Sequence, residues 1–178
     1  DLALALWDTG IHEARIMAAL VDDKKLVTEG QMDKWTVQFD SWDVCDQCCI
    51  NLFRHTPWAH GKVREYAADG REFVRRTGFV LIATLAVHDK GVGDEVFASY
   101  LALIEEYSSD GRNFVKKAVN WALRQIGKRN FALNGIAVET ASKLAESPDS
   151  AAKWIGRDAL RELSSQKTLE YIRDHRKN

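Results

Sequence analysis

Apolar residues recur every three to four positions along most of the chain, and this spacing predicts amphipathic α-helices. The pattern is strongest over 73–87 and 114–126. With 2 prolines and 11 glycines in 178 residues, and no convincing alternating strand, the sequence indicates an all-α fold built from long elements. Further helices are predicted at the leucine-rich start of the chain and over 11–21, 31–38, 42–54, 58–68, 94–107, 131–145, 149–163 and 165–175.

An internal repeat organises these helices. The segment 69–76 (DGREFVRR) is echoed 41 residues later by 110–117 (DGRNFVKK), and a weaker third copy lies 40 residues further on, at 154–157 (WIGR). A period of this length, built from helix pairs, is typical of HEAT and armadillo repeats. Because each pair buries its apolar face on the next, we predict a single domain over 1–178, a right-handed α-solenoid of HEAT-like (ARM-type) repeats. An irregular helical bundle is the alternative.

Composition excludes several classes of protein. The chain is 46% hydrophobic and 29% charged, which rules out a disordered chain, a collagen-like repeat and a disulfide scaffold. No apolar run approaches the ~18 residues that a membrane helix needs, so no membrane contact is expected. The three cysteines lie close together without a distant partner, which is typical of a reduced, cytoplasmic protein.

Charge is distributed unevenly along the chain. Residues 1–110 carry 11 Lys and Arg against 19 Asp and Glu, whereas residues 111–178 carry 14 against 7. The segment 112–129 contains six cations and no acid. One end of the molecule is therefore expected to attract a polyanion, the alternative being a basic surface that is only solvated.

Three cations, Arg76, Lys117 and Arg157, occupy equivalent positions in the repeat. Equivalent positions in stacked repeats form a row, with ~10 Å between successive layers of packed helices. Such a row matches a phosphate backbone, so we expect it to bind phosphates. Arg157 is its weakest member because the third copy is degenerate, and the alternative for Arg157 is an ion pair with a carboxylate such as Glu162.

The segment 40–49 has the most unusual composition. Asp40 or Ser41 can cap the helix that follows. Asp43 then lies in the first turn, where the helix dipole favours a carboxylate. We therefore interpret Asp43 as a structural residue.

Cys45, Cys48 and Cys49 follow the spacing of a buried helix face, so we interpret them as small core residues. Cys45, Cys48 and the nearby His55 make a poor zinc site, because no second ligand pair exists and a continuous helix cannot surround a metal with four ligands. No metal is expected.

Trp42 and Asp46 are four residues apart, so they share one helix face. Asp is rarely buried without a partner. Asp46 is therefore a surface residue, one half of an ion pair with an arginine of a neighbouring repeat, or a functional carboxylate beside an aromatic ring. Trp121 shares a face with Lys117 in the basic helix by the same spacing. Together these residues supply a carboxylate, two indoles and cations.

Three segments resemble the HEAT-like-repeat DNA alkylation-repair proteins, the AlkD-type DNA glycosylases: SWDVCD at 41–46, FVRRT at 73–77 and FVKKAVNWALR at 114–124. The resemblance covers almost the whole chain in the same order and spacing. It implies an all-helical solenoid that cradles duplex DNA and hydrolyses the N-glycosidic bond of N3- or N7-alkylated purines. It also implies N-terminal helices that this sequence lacks.

The resemblance assigns roles to individual residues. Asp46 falls on the catalytic carboxylate, Trp42 and Trp121 fall on the two active-site tryptophans, and Arg76 falls on a phosphate-binding arginine. With the row of cations and their neighbours, the residues expected to bind DNA are Arg75, Arg76, Phe114, Lys116, Lys117 and Arg157.

These observations are compatible with three functions. The favoured one is a DNA repair glycosylase that acts as a cytoplasmic monomer on alkylated purines in duplex DNA, without cofactor or metal. The second is a catalytically silent HEAT-repeat DNA-binding protein, favoured by Asn113, which stands where the family has an aromatic residue, and by the acidic first half. The third, a protein-interaction solenoid, is disfavoured by the row of cations.

Overall fold

In the computed structural model, residues 2–175 are described, and they form eleven α-helices and one 3₁₀ turn, with no strand among them. The predicted all-α fold is confirmed. None of these helices combines the length and the apolar character that a membrane crossing requires. The elements are α1 (Leu2–Asp8), α2 (His12–Val21), α3 (Glu29–Thr36), α4 (Trp42–Asn51), the 3₁₀ turn (Phe53–His55), α5 (Ala59–Ala68), α6 (Glu72–His88), α7 (Asp94–Tyr107), α8 (Asn113–Gly127), α9 (Phe131–Ala145), α10 (Ser150–Leu163) and α11 (Gln166–His175).

The bounds of α3 and α4 differ from the sequence predictions for local reasons. α3 begins before the predicted residue 31 because the Thr28 side chain caps it, accepting a hydrogen bond from the Gln31 amide at 3.1 Å. The helix predicted over 42–54 ends at Asn51. Thr56 is extended, as the residue before Pro57 must be, and the short 3₁₀ turn makes the transition.

The chain divides into two compact units, with the boundary between Leu81 and Ile82, inside α6. The first contains α1 to α5 and the start of α6, and the second contains the rest of α6 and α7 to α11. That residues 1–178 form one domain stays a prediction.

Aromatic rings and cysteines fill the core of the first unit. The rings of Trp7 and Trp35 stack with their centroids 4.0 Å apart, and Phe39 and Phe53 pack against this pair. The three cysteines of α4 are fully buried, which confirms their predicted place in the core. Burial raises the pKa of the Cys48 and Cys49 thiols, so both are neutral. Among residues 2–175, His, Cys, Asp and Glu side chains form no group that could hold a metal ion.

In the second unit, α10 has one apolar and one charged face. It begins at Ser150 because the Asp149 carboxylate accepts hydrogen bonds from the amides of Ala151 and Ala152, each at 2.9 Å. Ile155 and Leu163 lie on the buried face and are inaccessible to solvent.

A glycine lets α10 approach α9 closely. A Cβ on Gly156 would lie 2.2 Å from the amide nitrogen of Ala145 and 2.6 Å from the carbonyl oxygen of Ala141. Both distances are far shorter than a van der Waals contact, so only glycine fits at this helix crossing.

We expect Gly156→Ala to lower the free energy of unfolding by about 1–3 kcal/mol, because the added methyl overlaps the α9 backbone. Gly135→Ala is the matched control, since Gly135 is also inside a helix and an added Cβ there meets no atom within 4 Å. The control should raise the free energy of unfolding by up to about 1 kcal/mol. Urea denaturation followed by circular dichroism measures both, and an unchanged Gly156→Ala variant would show that α9 and α10 tolerate a wider separation.

Candidate active site and nucleic-acid interface

The N-terminal half of α4 places Trp42 at the surface and Asp46 beneath it. Ser41 is the extended residue before the helix, with φ −146° and ψ 153°. Cys45 and Cys48 direct one face of α4 into the core. Trp42 keeps 49% of its surface exposed, whereas Asp46, one turn later, keeps 8%.

Asp46 forms a two-pronged ion pair with Arg76 of α6. Arg76 Nε donates to Asp46 Oδ1 at 2.9 Å, and Nη2 donates to Oδ2 at 2.7 Å. Arg76 keeps 5% of its surface exposed, so both charges are buried. The ion pair with an arginine of a neighbouring repeat, one of the alternatives for Asp46, is therefore present in the structure.

Contacts beside the ion pair hold α4 and α6 in register. The Cys45 thiol and the Thr77 hydroxyl form a hydrogen bond at 3.2 Å, adjacent to Arg76 on α6. On the other side of α6, Gly78 permits a close approach of α5, because a Cβ there would lie 2.6 Å from the Ala67 amide nitrogen. Since these contacts are buried, the orientation of the Asp46 carboxylate is set before any ligand arrives.

Burial and pairing act in opposite directions on the titration of Asp46. Burial raises the pKa of the carboxyl above its ordinary value, and the hydrogen bonds and positive charge of Arg76 counteract only part of this increase. Burial alone would lower the pKa of Arg76. The Asp46 carboxylate has the opposite effect, and the pKa of Arg76 lies above its ordinary value. Arg76 therefore stays charged, and Asp46 carries a fixed negative charge in a poorly solvated place.

The exposed indole of Trp42 lies over this ion pair. The guanidinium carbon of Arg76 is 6.0 Å from the centroid of the Trp42 ring, at the outer limit of a cation–π contact. We call Trp42, Asp46 and Arg76 the Asp46 cluster. It combines an oriented carboxylate, 11% of whose side chain reaches solvent, with an accessible aromatic face.

Asp43 has its own partners on the same helix. Its carboxylate accepts a hydrogen bond from the Val44 amide at 3.0 Å and contacts His12 Nε2 at 2.9 Å. Partial burial tends to raise the pKa of Asp43, but the neighbouring Ser41 side chain, the hydrogen bonds with His12 and the Val44 amide, and the charge of His12 hold it below its ordinary value. The structural interpretation of Asp43 agrees with these contacts.

In the second unit, α8 carries the other residues of the predicted site. Lys117 is exposed, and Trp121, one turn later on the same face, is partly exposed. Phe114 and Lys116 are partly buried. Because Trp121 belongs to the second unit and Asp46 to the first, their predicted juxtaposition stays a prediction.

Most of the six cations in 112–129 are bound to other groups of the protein. The pairs are Arg112 with Asp110, Arg124 and Lys128 with Glu162, and Arg129 with Asp94 and the carbonyl oxygens of Ala86 and Val92. The predicted alternative for Arg157, a pair with Glu162, is wrong, because Glu162 binds Arg124 and Lys128 and Arg157 is exposed. The accessible basic groups of α8 are therefore Lys116 and Lys117.

Arg75 has a structural contact of its own. Its Nε donates a hydrogen bond to the Ala67 carbonyl oxygen at 3.0 Å, and the side chain is partly buried. This bond ties α6 to α5. The contact of Arg75 with DNA stays a prediction.

Two contacts near the expected site residues were not predicted from the sequence. One is the contact of His12 with Asp43. The other places Lys116 Nζ 4.9 Å from the centroid of the Trp154 ring. Both join residues on different helices, so local spacing carries no signal for them. The repeat did carry a signal for Trp154, which aligns with Phe114.

Comparisons with known proteins identify the fold and the family of this chain. No curated protein matches the chain. A solved structure from a family related to the HEAT-like repeat DNA glycosylases, with affinity for branched DNA structures, matches with a TM-score of 0.71 and 19% sequence identity, over 90% of this chain and 74% of that chain. This likeness confirms the predicted HEAT-like repeat fold. Residues 1–163 match the family described as DNA alkylation repair enzyme, and the chain therefore belongs to that family.

Proposed function

We propose that this protein is a DNA glycosylase that excises N3- or N7-alkylated purines from duplex DNA. The observation that carries the proposal is the Asp46 carboxylate, buried and oriented by Arg76 beneath the exposed indole of Trp42. Membership of the DNA alkylation repair enzyme family supports the same conclusion.

The chemistry of the substrate matches this carboxylate. An N3- or N7-alkylated purine is cationic, so it leaves without being protonated. The N-glycosidic bond breaks with its electron pair going to the base, which becomes neutral, and the sugar becomes an oxocarbenium-like cation. Asp46 stabilises that cation electrostatically. Water then adds to C1′ and loses a proton, which leaves an abasic site.

The tryptophans stabilise the same positive charge. The face of Trp42 contributes ~0.5–2 kcal/mol by a cation–π interaction with the oxocarbenium-like sugar. Trp121 provides a second indole in this proposal. The positive base supplies selectivity, so no enclosed pocket is needed, in contrast to enzymes that draw the base into one.

DNA is held through its phosphates in this proposal. Lys117 and Arg157 are exposed cations and are the strongest candidates for these contacts. Lys116, Phe114 and Arg75 flank them. Because Arg76 is buried and donates two hydrogen bonds to Asp46, we assign it first to positioning that carboxylate.

Release of free base from methylated duplex DNA tests the proposal. We expect the wild-type protein to release 3-methyladenine or 7-methylguanine and to leave abasic sites. Unmethylated duplex DNA of the same sequence is the control. Binding of duplex DNA without any base release would contradict the proposal and favour the second candidate function.

The second candidate is a catalytically silent DNA-binding protein. It is favoured by the same ion pair, because both carboxylate oxygens of Asp46 accept hydrogen bonds from Arg76, as in a purely structural pair. Affinity for branched DNA structures, described for the protein of similar fold, would then be the activity of this chain.

Lys117→Ala should weaken duplex binding and lower the slope of log K against log salt by about 0.9, because one phosphate contact is lost. Lys24→Ala is the matched control, since Lys24 is an exposed lysine in the acidic part of the chain. Fluorescence anisotropy at several salt concentrations measures both slopes. Equal slopes for the two variants would remove Lys117 from the interface.

A further inference from the structure

The repeat places an aromatic residue three positions before a cation in each of its copies. The pairs are Phe73 with Arg76, Phe114 with Lys117, and Trp154 with Arg157. Exposure differs from copy to copy: Arg76 is buried, Phe114 is partly buried beside an exposed Lys117, and both members of the third pair are exposed. The third pair therefore presents an indole and a guanidinium to solvent together.

Trp154 lies on the charged face of α10, opposite the buried face that carries Ile155. Its exposed fraction is 40%, so packing within the second unit does not account for the whole ring. Ser150, Lys153, Trp154, Arg157, Asp158 and Arg161 line an open depression of about 320 Å³. The indole stands in this depression as an accessible flat surface.

One cation lies over the Trp154 ring, and two others line the same depression. Lys116 Nζ of α8 lies 4.9 Å from the ring centroid, and Lys153 and Arg157 flank the ring on α10. Asp158, the acid in the depression, is paired with Arg161. Among residues 2–175, no ion pair is formed by Lys116, Lys153 or Arg157, so their charge is available to a polyanion.

We propose that Trp154, with Lys116, Lys153 and Arg157, binds single-stranded DNA by stacking an unpaired base on the indole and contacting the adjacent phosphates. Inside a duplex, both faces of each base are covered by neighbouring base pairs, so an indole on a protein surface that meets the DNA away from a duplex end stacks only on an unpaired base. Aromatic platforms within a basic groove are the usual means of binding single strands without sequence preference. The proposal rests on the proposed DNA binding but not on base excision.

Binding of fluorescein-labelled oligothymidylate and of a blunt duplex, each measured by fluorescence anisotropy, tests this site. We expect Trp154→Ala to weaken oligothymidylate binding about 5- to 100-fold, as for the loss of one stacked base, and to change duplex binding far less. Trp154→Phe, which keeps a ring, should recover most of the affinity. Trp58→Ala removes a similarly exposed tryptophan of the first unit, 39% accessible, and should leave both affinities unchanged.

Salt dependence separates stacking from charge at the same site. Arg157→Ala should lower the salt slope for oligothymidylate by about 0.7, the value for one phosphate contact on a single strand, whereas Trp154→Ala should leave the slope unchanged. The proposal is overturned by a wild-type protein that does not bind oligothymidylate, by wild-type affinity in Trp154→Ala, or by an equal loss of duplex and single-strand affinity in that variant.

Base release separates this site from the proposed glycosylase activity. Absence of base release by the wild-type protein, together with single-strand binding that depends on Trp154, contradicts the glycosylase and supports the single-strand site. Base release together with single-strand binding that does not depend on Trp154 supports the glycosylase and contradicts the single-strand site.

Discussion

Asp46→Asn is expected to slow base release from methylated duplex DNA by at least about 100-fold, while affinity for that DNA changes by no more than a few-fold. The amide keeps the size of the side chain but removes the negative charge that stabilises the oxocarbenium-like sugar, and the loss of one such electrostatic group typically costs this much in rate. Single-turnover release of 3-methyladenine and 7-methylguanine measures the effect, and circular dichroism checks that the variant is folded.

Asp43→Asn is the matched control for this variant. Asp43 lies on the same helix, and 32% of its side chain is exposed beside His12. The proposed mechanism gives the charge of Asp43 no role. We expect the Asp43→Asn variant to release base at close to the wild-type rate. Wild-type release by Asp46→Asn together with a loss in Asp43→Asn would transfer the catalytic role to Asp43.

The pH dependence of the wild-type protein provides a second measure of the same role. Only the ionised Asp46 carboxylate can stabilise the sugar cation. Burial raises its pKa, so base release should fall as the pH decreases through a value above the ~3.9 of an ordinary aspartate. The residual activity of Asp46→Asn should lack this decrease, after subtraction of the acid-catalysed release that occurs without protein.

Arg76→Ala should lower the free energy of unfolding by about 3–5 kcal/mol, because it leaves the Asp46 carboxylate buried without its counter-charge. Asp46 and Arg76 are 8% and 5% exposed, so water compensates little of the loss. A typical domain is stable by only about 5–15 kcal/mol, which makes this one of the most damaging single substitutions in the first unit. Urea denaturation followed by circular dichroism measures it.

Two further variants identify the cause of that loss. Arg75→Ala removes the neighbouring arginine, whose Nε donates to a backbone carbonyl, and should cost about 1 kcal/mol. The double variant Asp46→Leu with Arg76→Met removes both charges and should recover most of the stability lost in Arg76→Ala, because no unpaired charge remains buried. A stable Arg76→Ala protein would show that the pair is solvated and does not position Asp46.

Local chemistry in the sequence determined the helices. The spacing of apolar residues predicted each of the eleven α-helices of residues 2–175, because the buried face of a helix must repeat every 3.6 residues. Errors at α3 and α4 came from local features that were given too little weight, the Thr28 cap and the extension before Pro57. The offset of about 40 residues indicated helical repeats, since each repeat needs the same contacts with the next.

Only the tertiary structure decided which charges are accessible. The run of six cations in 112–129 predicted a basic surface. Glu162 and Asp94, which are distant in sequence, bind three of them, and Asp110, two residues before Arg112, binds a fourth. The sequence left Asp46 with three interpretations, and the packing of α4 on α6 excludes the surface residue by burying Asp46 in a pair with Arg76. Helix formation depends on residues within one turn of each other, whereas ion pairing and burial depend on residues that are distant in sequence, so periodicity predicts the first and cannot predict the second.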